Sequence, residues 1–150
     1  MKNLNRKGFT LVELLAVIVI LAIVVGIALT TVLPTLKESR QRAFDLTPDT
    51  AADYLEKQYQ LDLIGDISGG TRDTTILATI PTTATAITDA QIKAAGLKPS
   101  NYVLADSTWY IDTATGRACV HLKAATRTNS GTNAGEYYDV SPDTKDSSAC

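Results

Sequence analysis

KGFTLVELLAVIVILAIVVGIALTTVLPTL, residues 7–36, decides how the rest of this chain is read. Phe9 to Leu33 contains 25 residues and a single charge, Glu13. As a helix that run is roughly 37 Å long, at about 1.5 Å per residue. A hydrocarbon core of about 30 Å is shorter than that. The run is apolar on every face, so it belongs in lipid or inside a packed assembly rather than on a water-facing surface. Lys2, Arg6 and Lys7 precede it, which favours a cytoplasmic amino terminus and an external remainder. A cleavable secretory signal is a poorer description: its apolar core is about 7–15 residues long and ends at a small-residue site. A plain single-pass anchor explains the length and the basic flank but leaves Glu13 unexplained. A carboxylate in such a run costs about 2.5–3.5 kcal/mol near a bilayer centre, less near an interface, and usually marks function.

Outside this segment the composition is ordinary. The chain has 150 residues, 45% of them hydrophobic and 20% charged, with a formal net charge of −2. That length supports one ordinary domain. The near-neutral balance argues against nucleic-acid binding through bulk charge, and no basic surface patch for nucleic acid is evident. The averages conceal two unlike parts, an apolar segment and a Thr-rich, charged remainder that begins at Lys37.

The string Lys7-Gly8-Phe9-Thr10-Leu11-Val12-Glu13-Leu14-Leu15 resembles the class III signal peptide of type IV pilins and pseudopilins. The resemblance is tight over about the first 35 residues and loose over the layout of the rest. It implies that a prepilin peptidase cuts after Gly8 and that Phe9 becomes the N-methylated mature terminus. It also implies that Glu13 pairs with the Phe9 amine of a neighbouring subunit during assembly. On physical grounds an amine and a carboxylate in apolar surroundings are both costly, and they compensate each other either within one chain or between two. The implied division is a leader at 1–8, a transmembrane and filament-core helix at 9–35, and a globular head at 36–150 that includes the second half of the spine helix.

Downstream, Leu36, Ala43, Phe44, Ala51, Tyr54, Leu55 and Leu61 recur at helical spacing, with charges mostly on the other faces. The expected helix runs from about Phe9 to about Leu63. Gly26 and Pro34 are its weak positions in the first half, read either as a tolerated kink or as a stretch that unwinds in a fibre. A break or bend is expected near Pro34 and near Pro48, where Thr47-Pro48-Asp49 forms either a capped helix start or a kink. Gly65 to Gly70 should end the helix, with Gly69-Gly70 as the clearest breaker. A loop with a short strand around Ile76, Ala78 and Ile80 follows, then a short helix capped by Thr88 and stopped by Gly96. Strands are expected at Tyr102–Ala105, Thr108–Asp112 and Gly116–Lys123, with a hairpin turn over 112–117 and a fourth strand at Glu136–Val140. Ala118, Val120 and Leu122 should face inward with Trp109 and Ile111. The expected fold is α+β, a long helix packed against a small antiparallel sheet, as in the pilin fold.

Cys119 falls on the outward face of its strand, and an external domain permits a bridge to Cys150; two free thiols are the other reading. The bridge resembles the disulfide-bounded carboxy-terminal region of many type IV pilins and would add roughly 3 kcal/mol in the chain-entropy account. His121 reads as an ordinary strand residue. Asp139, Asp143 and Asp146 read as solvated turn residues rather than a calcium loop, since their spacing is not that of an EF-hand. No metal, cofactor or catalytic group is expected, and the chain does not read as an enzyme. Lys37, Arg40 and Arg42 would touch lipid headgroups or a neighbouring subunit.

The resemblance implies a structural subunit of an extracellular type IV pilus, a helical homo-oligomer of the kind used in adhesion and twitching motility. The precursor would span the bacterial cytoplasmic membrane once, and an assembly platform with its ATPase would build the fibre. The alternative within the family is a pseudopilin of a type II secretion or competence machine. From a different class, the alternative is a membrane-anchored binding protein or enzyme.

Overall fold

The computed structural model describes residues 9–68 and 74–150. The leader, Gly8 and the Gly69-Gly70 breaker therefore lie outside the described residues. The chain divides into two units, Met1–Leu36 and Lys37–Cys150.

The first unit is the apolar stretch of helix α1, which spans Leu11–Asp45. It continues through Gly26 and Pro34 without interruption. Three Thr hydroxyls fold back onto the backbone of the preceding turn. Thr30 Oγ1 donates to Ile27 O at 2.8 Å, Thr31 Oγ1 to Ala28 O at 3.0 Å and Thr35 Oγ1 to Thr31 O at 3.0 Å. Such back-bonding satisfies each hydroxyl within its own helix.

The expected break near Pro34 is absent, while the one expected near Pro48 lies at Leu46, ahead of α2 at Thr47–Ser68. Pro48 explains it. It has no N–H for the carbonyl of Phe44, four residues back. The hydroxyl of Thr47 takes over that acceptor at 2.8 Å. Thr47 is thus a donor at the helix junction, not the side-chain acceptor that an N-cap reading requires. From here the spine buries Phe44, Thr47, Pro48, Ala51, Ala52, Leu55 and Gln58. Leu36 and Ala43, both expected in this stripe, are exposed, and Leu61 is only partly covered. Ala43 sits one residue off the seam that Phe44, Ala51, Leu55 and Gln58 define.

Against α2 lies a four-stranded antiparallel sheet in the order β1-β2-β3-β4. Its strands are β1 Thr85–Ala86, β2 Thr108–Asp112, β3 Arg117–Lys123 and β4 Thr144–Asp146. The central hairpin turns over 112–117 as expected, and its strands pair with Tyr110 opposite Cys119 and Asp112 opposite Arg117. Its turn needs Gly116 at φ +71°. Asp112 completes that turn by accepting from Ala114 N at 2.9 Å and Thr115 Oγ1 at 2.8 Å, which holds its carboxyl below the usual range. Burial alternates along β3, so Ala118, Val120 and Leu122 enter the core with Trp109 and Ile111. The Tyr54 ring stacks on Trp109 with centroids 6.2 Å apart.

Between β1 and β2, helix α3 (Asp89–Ala94) begins at a reciprocal capping box of Thr88 and Gln91. Three other expectations are corrected. Tyr102–Ala105 is not a strand: Tyr102 makes one bridge to Ala124, and a 3-10 turn follows at Leu104–Asp106. Buried Ser107 bends the chain there, donating to Val103 O at 2.9 Å and accepting from Lys123 N at 3.1 Å. Glu136–Val140 forms turns, because Asn101 Oδ1 captures Glu136 N at 3.0 Å and Val140 N bonds back to Tyr137 O. The outer strands come from Thr85–Ala86 and Thr144–Asp146, not from Ile76–Ile80 or Glu136–Val140.

Candidate processing and assembly site

The residues around the expected cleavage point are placed by the start of α1. Phe9 and Thr10 precede the helix, and Phe9 is 86% exposed. Thr10 and Glu13 close a reciprocal cap. Glu13 Oε2 accepts from Thr10 N and from Thr10 Oγ1, each at 2.9 Å, and Glu13 N donates to Thr10 Oγ1 at 3.3 Å. Leu14 N then makes the first helical bond, to Thr10 O at 3.2 Å. This is a Thr-x-x-Glu capping box, which satisfies backbone donors that an uncapped helix start leaves open. Its signature stands in the sequence, yet attention to Glu13 as a buried charge passes over it. Gly8 lies outside the described residues.

Every described residue of this helix up to Ser39 is exposed, the leucines, isoleucines and valines among them. The length and composition suffice to cross a membrane. Such a surface is stable only under lipid or other protein. A Cβ added to Gly26 would meet nothing within 4 Å, so nothing in the first unit packs on that position.

The other singled-out residues lie in the second unit. Cys119 and Cys150 are joined by a disulfide, with Cα atoms 4.8 Å apart. His121 pairs with Asp146 across β3 and β4. The basic cluster is divided. Arg40 donates to Tyr138 Oη at 2.7 Å and Asp139 Oδ2 at 3.3 Å, and its guanidinium lies 4.5 Å from the Tyr138 ring centre. Arg127 covers the same ring at 4.3 Å. Arg42 pairs with Glu38 one turn back. Two of the expected headgroup or neighbour contacts are thus engaged inside this chain. The three aspartates diverge as well: Asp139 turns to Arg40, Asp143 to Asn129 Nδ2 at 2.9 Å, and Asp146 to His121. Among the described residues no three acidic, His or Cys side chains converge for a metal ion. A cleft of about 360 Å³ beside Pro81, Thr82, Gln91 and Trp109 carries no titratable side chain.

Residues 3–29 match the family described as the prokaryotic N-terminal methylation motif. The chain therefore carries the class III signal peptide of type IV pilin-like proteins, and its long apolar helix with a small antiparallel sheet is a pilin-like α+β architecture. No curated protein and no solved structure matches the chain.

Proposed function

We propose that this protein is a structural subunit of an extracellular type IV pilus. In this reading a prepilin peptidase removes residues 1–8, and residues 9–35 hold the precursor in the cytoplasmic membrane until an ATP-driven platform transfers them to the fibre core. Residues 36–150 form the head on the fibre surface. The observation that carries it is one conjunction: the methylation motif opens an apolar helix whose surface nothing in its own unit covers, with Glu13 as the one charge. Leaving lipid for a fibre core exchanges one apolar environment for another. The directional gain then comes from packing and from pairing Glu13 with a neighbour's Phe9 amine.

Mass spectrometry of the amino terminus from native membranes or fibres tests the processing step. The expected terminus is Phe9 bearing one methyl group; a terminus at Met1 overturns the reading. The exposed Thr-rich head and the disulfide-closed carboxy terminus favour a long surface fibre over a short pseudopilus. Negative-stain microscopy of sheared surface material checks this, and a fraction without fibres containing the chain counts against it.

A further inference from the structure

Residues 141–150 return along the spine as a strap. Three spine side chains receive it. Gln41 Oε1 accepts from Ser141 N at 2.9 Å, Asp45 Oδ1 lies 4.0 Å from Lys145 Nζ, and Asp49 Oδ1 accepts from Ser148 N at 2.7 Å. The spacing of four places all three on one helical face. They also straddle the break at Leu46, with Gln41 and Asp45 in α1 and Asp49 in α2.

The backbone is weak at that break. Leu46 N reaches Ala43 O at 3.3 Å, Thr50 N reaches Leu46 O at 3.3 Å, and Pro48 contributes no donor. Apolar packing on the α1 side is confined to Phe44, which is fully buried with its ring centre 5.4 Å from that of Tyr137. No side chain from Lys37 to Ala43 is buried, and Phe44 is the first that is. Apart from Phe44, what engages this end of α1 is the stretch Tyr138–Lys145, through Arg40, Gln41 and Asp45.

The far side of the strap is fixed to the sheet. β4 pairs with β3, and Ala124 N donates to Asp143 O at 2.7 Å. Ser147 is buried, and its hydroxyl accepts from Val120 N at 3.0 Å and donates to Ala118 O at 3.1 Å. The strap ends at Cys150, bonded to Cys119 of β3.

We propose that the strap is a splint across the spine break, and that the Cys119–Cys150 bond is its lock. Locked, it ties the end of α1 to the same sheet that holds α2, and the junction stays rigid. Released, the turn at Leu46 opens locally, while Phe44 and the α2–sheet core stay packed. The device belongs to the folded chain itself and does not rest on the fibre reading.

Amide hydrogen exchange on the full chain in detergent micelles tests it, comparing wild type with Cys150→Ser. The expected result is exchange about tenfold faster at Leu46, Asp49 and Thr50, the loss expected when one or two strap bonds open, with β2 and the Ala52–Gln58 stretch of α2 unchanged. Equal acceleration in β2 overturns the proposal, because the strap would then serve global stability. No acceleration at the junction overturns it too. If Cys150→Ser does not fold, Gln41→Ala combined with Asp49→Ala leaves the lock intact, and the same two regions decide.

Discussion

Gly135→Ala is a small substitution with a large expected effect. A Cβ at Gly135 would lie 2.6 Å from three atoms: Asn101 Cα, Asn101 Oδ1 and Ser100 O. Two of these are backbone. The third belongs to a buried side chain that is already committed, since Asn101 Oδ1 accepts from Glu136 N at 3.0 Å and Nδ2 donates to Glu136 Oε2 at 3.1 Å. None can swing aside, so the 135–136 loop must retreat. Retreat stretches Gly135 N to Ala125 O, now 3.1 Å, together with the Glu136–Asn101 bond. Overpacking costs about 1–3 kcal/mol, and each of the two weakened hydrogen bonds adds about 1 kcal/mol, for a total of roughly 3–5 kcal/mol. In a domain of this size about 4 °C accompanies each kcal/mol, so the midpoint should fall by roughly 12–20 °C. Thermal unfolding followed by the fluorescence of Trp109, buried in the head core, reads this directly. A midpoint within about 2 °C of wild type would refute the close approach, since a real overlap costs at least about 1 kcal/mol.

Three further outcomes are expected. Thr47→Val removes the donor to Phe44 O, stranding a buried carbonyl, and takes the hydroxyl away from Tyr102, which keeps its bond to Tyr137; it should destabilise the head by about 1–3 kcal/mol in a denaturant titration, and an unchanged midpoint would contradict the account of the helix break. Glu13→Ala should leave cleavage after Gly8 intact but weaken subunit addition by about a hundredfold or more, the scale of losing one member of a buried ion pair; fibre recovery and an immunoblot for processing separate the two steps, and normal fibre yield refutes the assembly role. Burial holds the Tyr102 and Tyr137 phenols above their ordinary value. The unfolded chain therefore loses those protons at about pH 10 while the folded chain keeps them, so stability is complete below about pH 10 and falls as pH rises beyond it. Tyr102→Phe should flatten the decline between pH 8 and pH 11, and a wild type that gains stability over that interval contradicts the sign.

What the sequence made legible was whatever depends on local pattern. The apolar run, the Thr88 cap and the Thr108–Lys123 hairpin each declare themselves within a few residues, because one helical or strand period contains the whole signal. The outer strands do not. Thr85–Ala86 and Thr144–Asp146 are short and polar, and their strand state comes from the neighbour each lies beside. Glu136–Val140 has the composition of a strand, but it loses its first donor to Asn101, 35 residues earlier. Tyr102–Ala105 likewise yields to Ser107, whose hydroxyl joins Val103 to Lys123. In each case a side chain competes successfully for a backbone group that a ladder would have used, from 35 residues away at Glu136 and from four at Val103. The strap contacts at Gln41, Asp45 and Asp49 were hidden for the same reason. On a helix face they look like solvated polar residues, and only the returning chain gives them partners.

Glu13 shows how one residue serves two requirements that appear opposed. A bare carboxylate in an apolar helix is costly, which is why the sequence marks it as functional. The start of an α-helix, however, is where a carboxylate is least costly, because the first N–H groups have no partner and the helix dipole is positive there. Thr10 uses this position, giving Glu13 Oε2 a backbone and a hydroxyl donor at 2.9 Å. The carboxylate is therefore satisfied before any second subunit arrives. In the proposed fibre, pairing with a neighbour's amine would replace that cap, so the gain would be the difference between the two bonds together with the relief of an otherwise unpaired amine. In that reading the subunit would wait in the membrane without strain and still have a preferred direction of docking. A Glu placed mid-helix could not do both: its cost would have to be met in full, and the precursor would insert poorly.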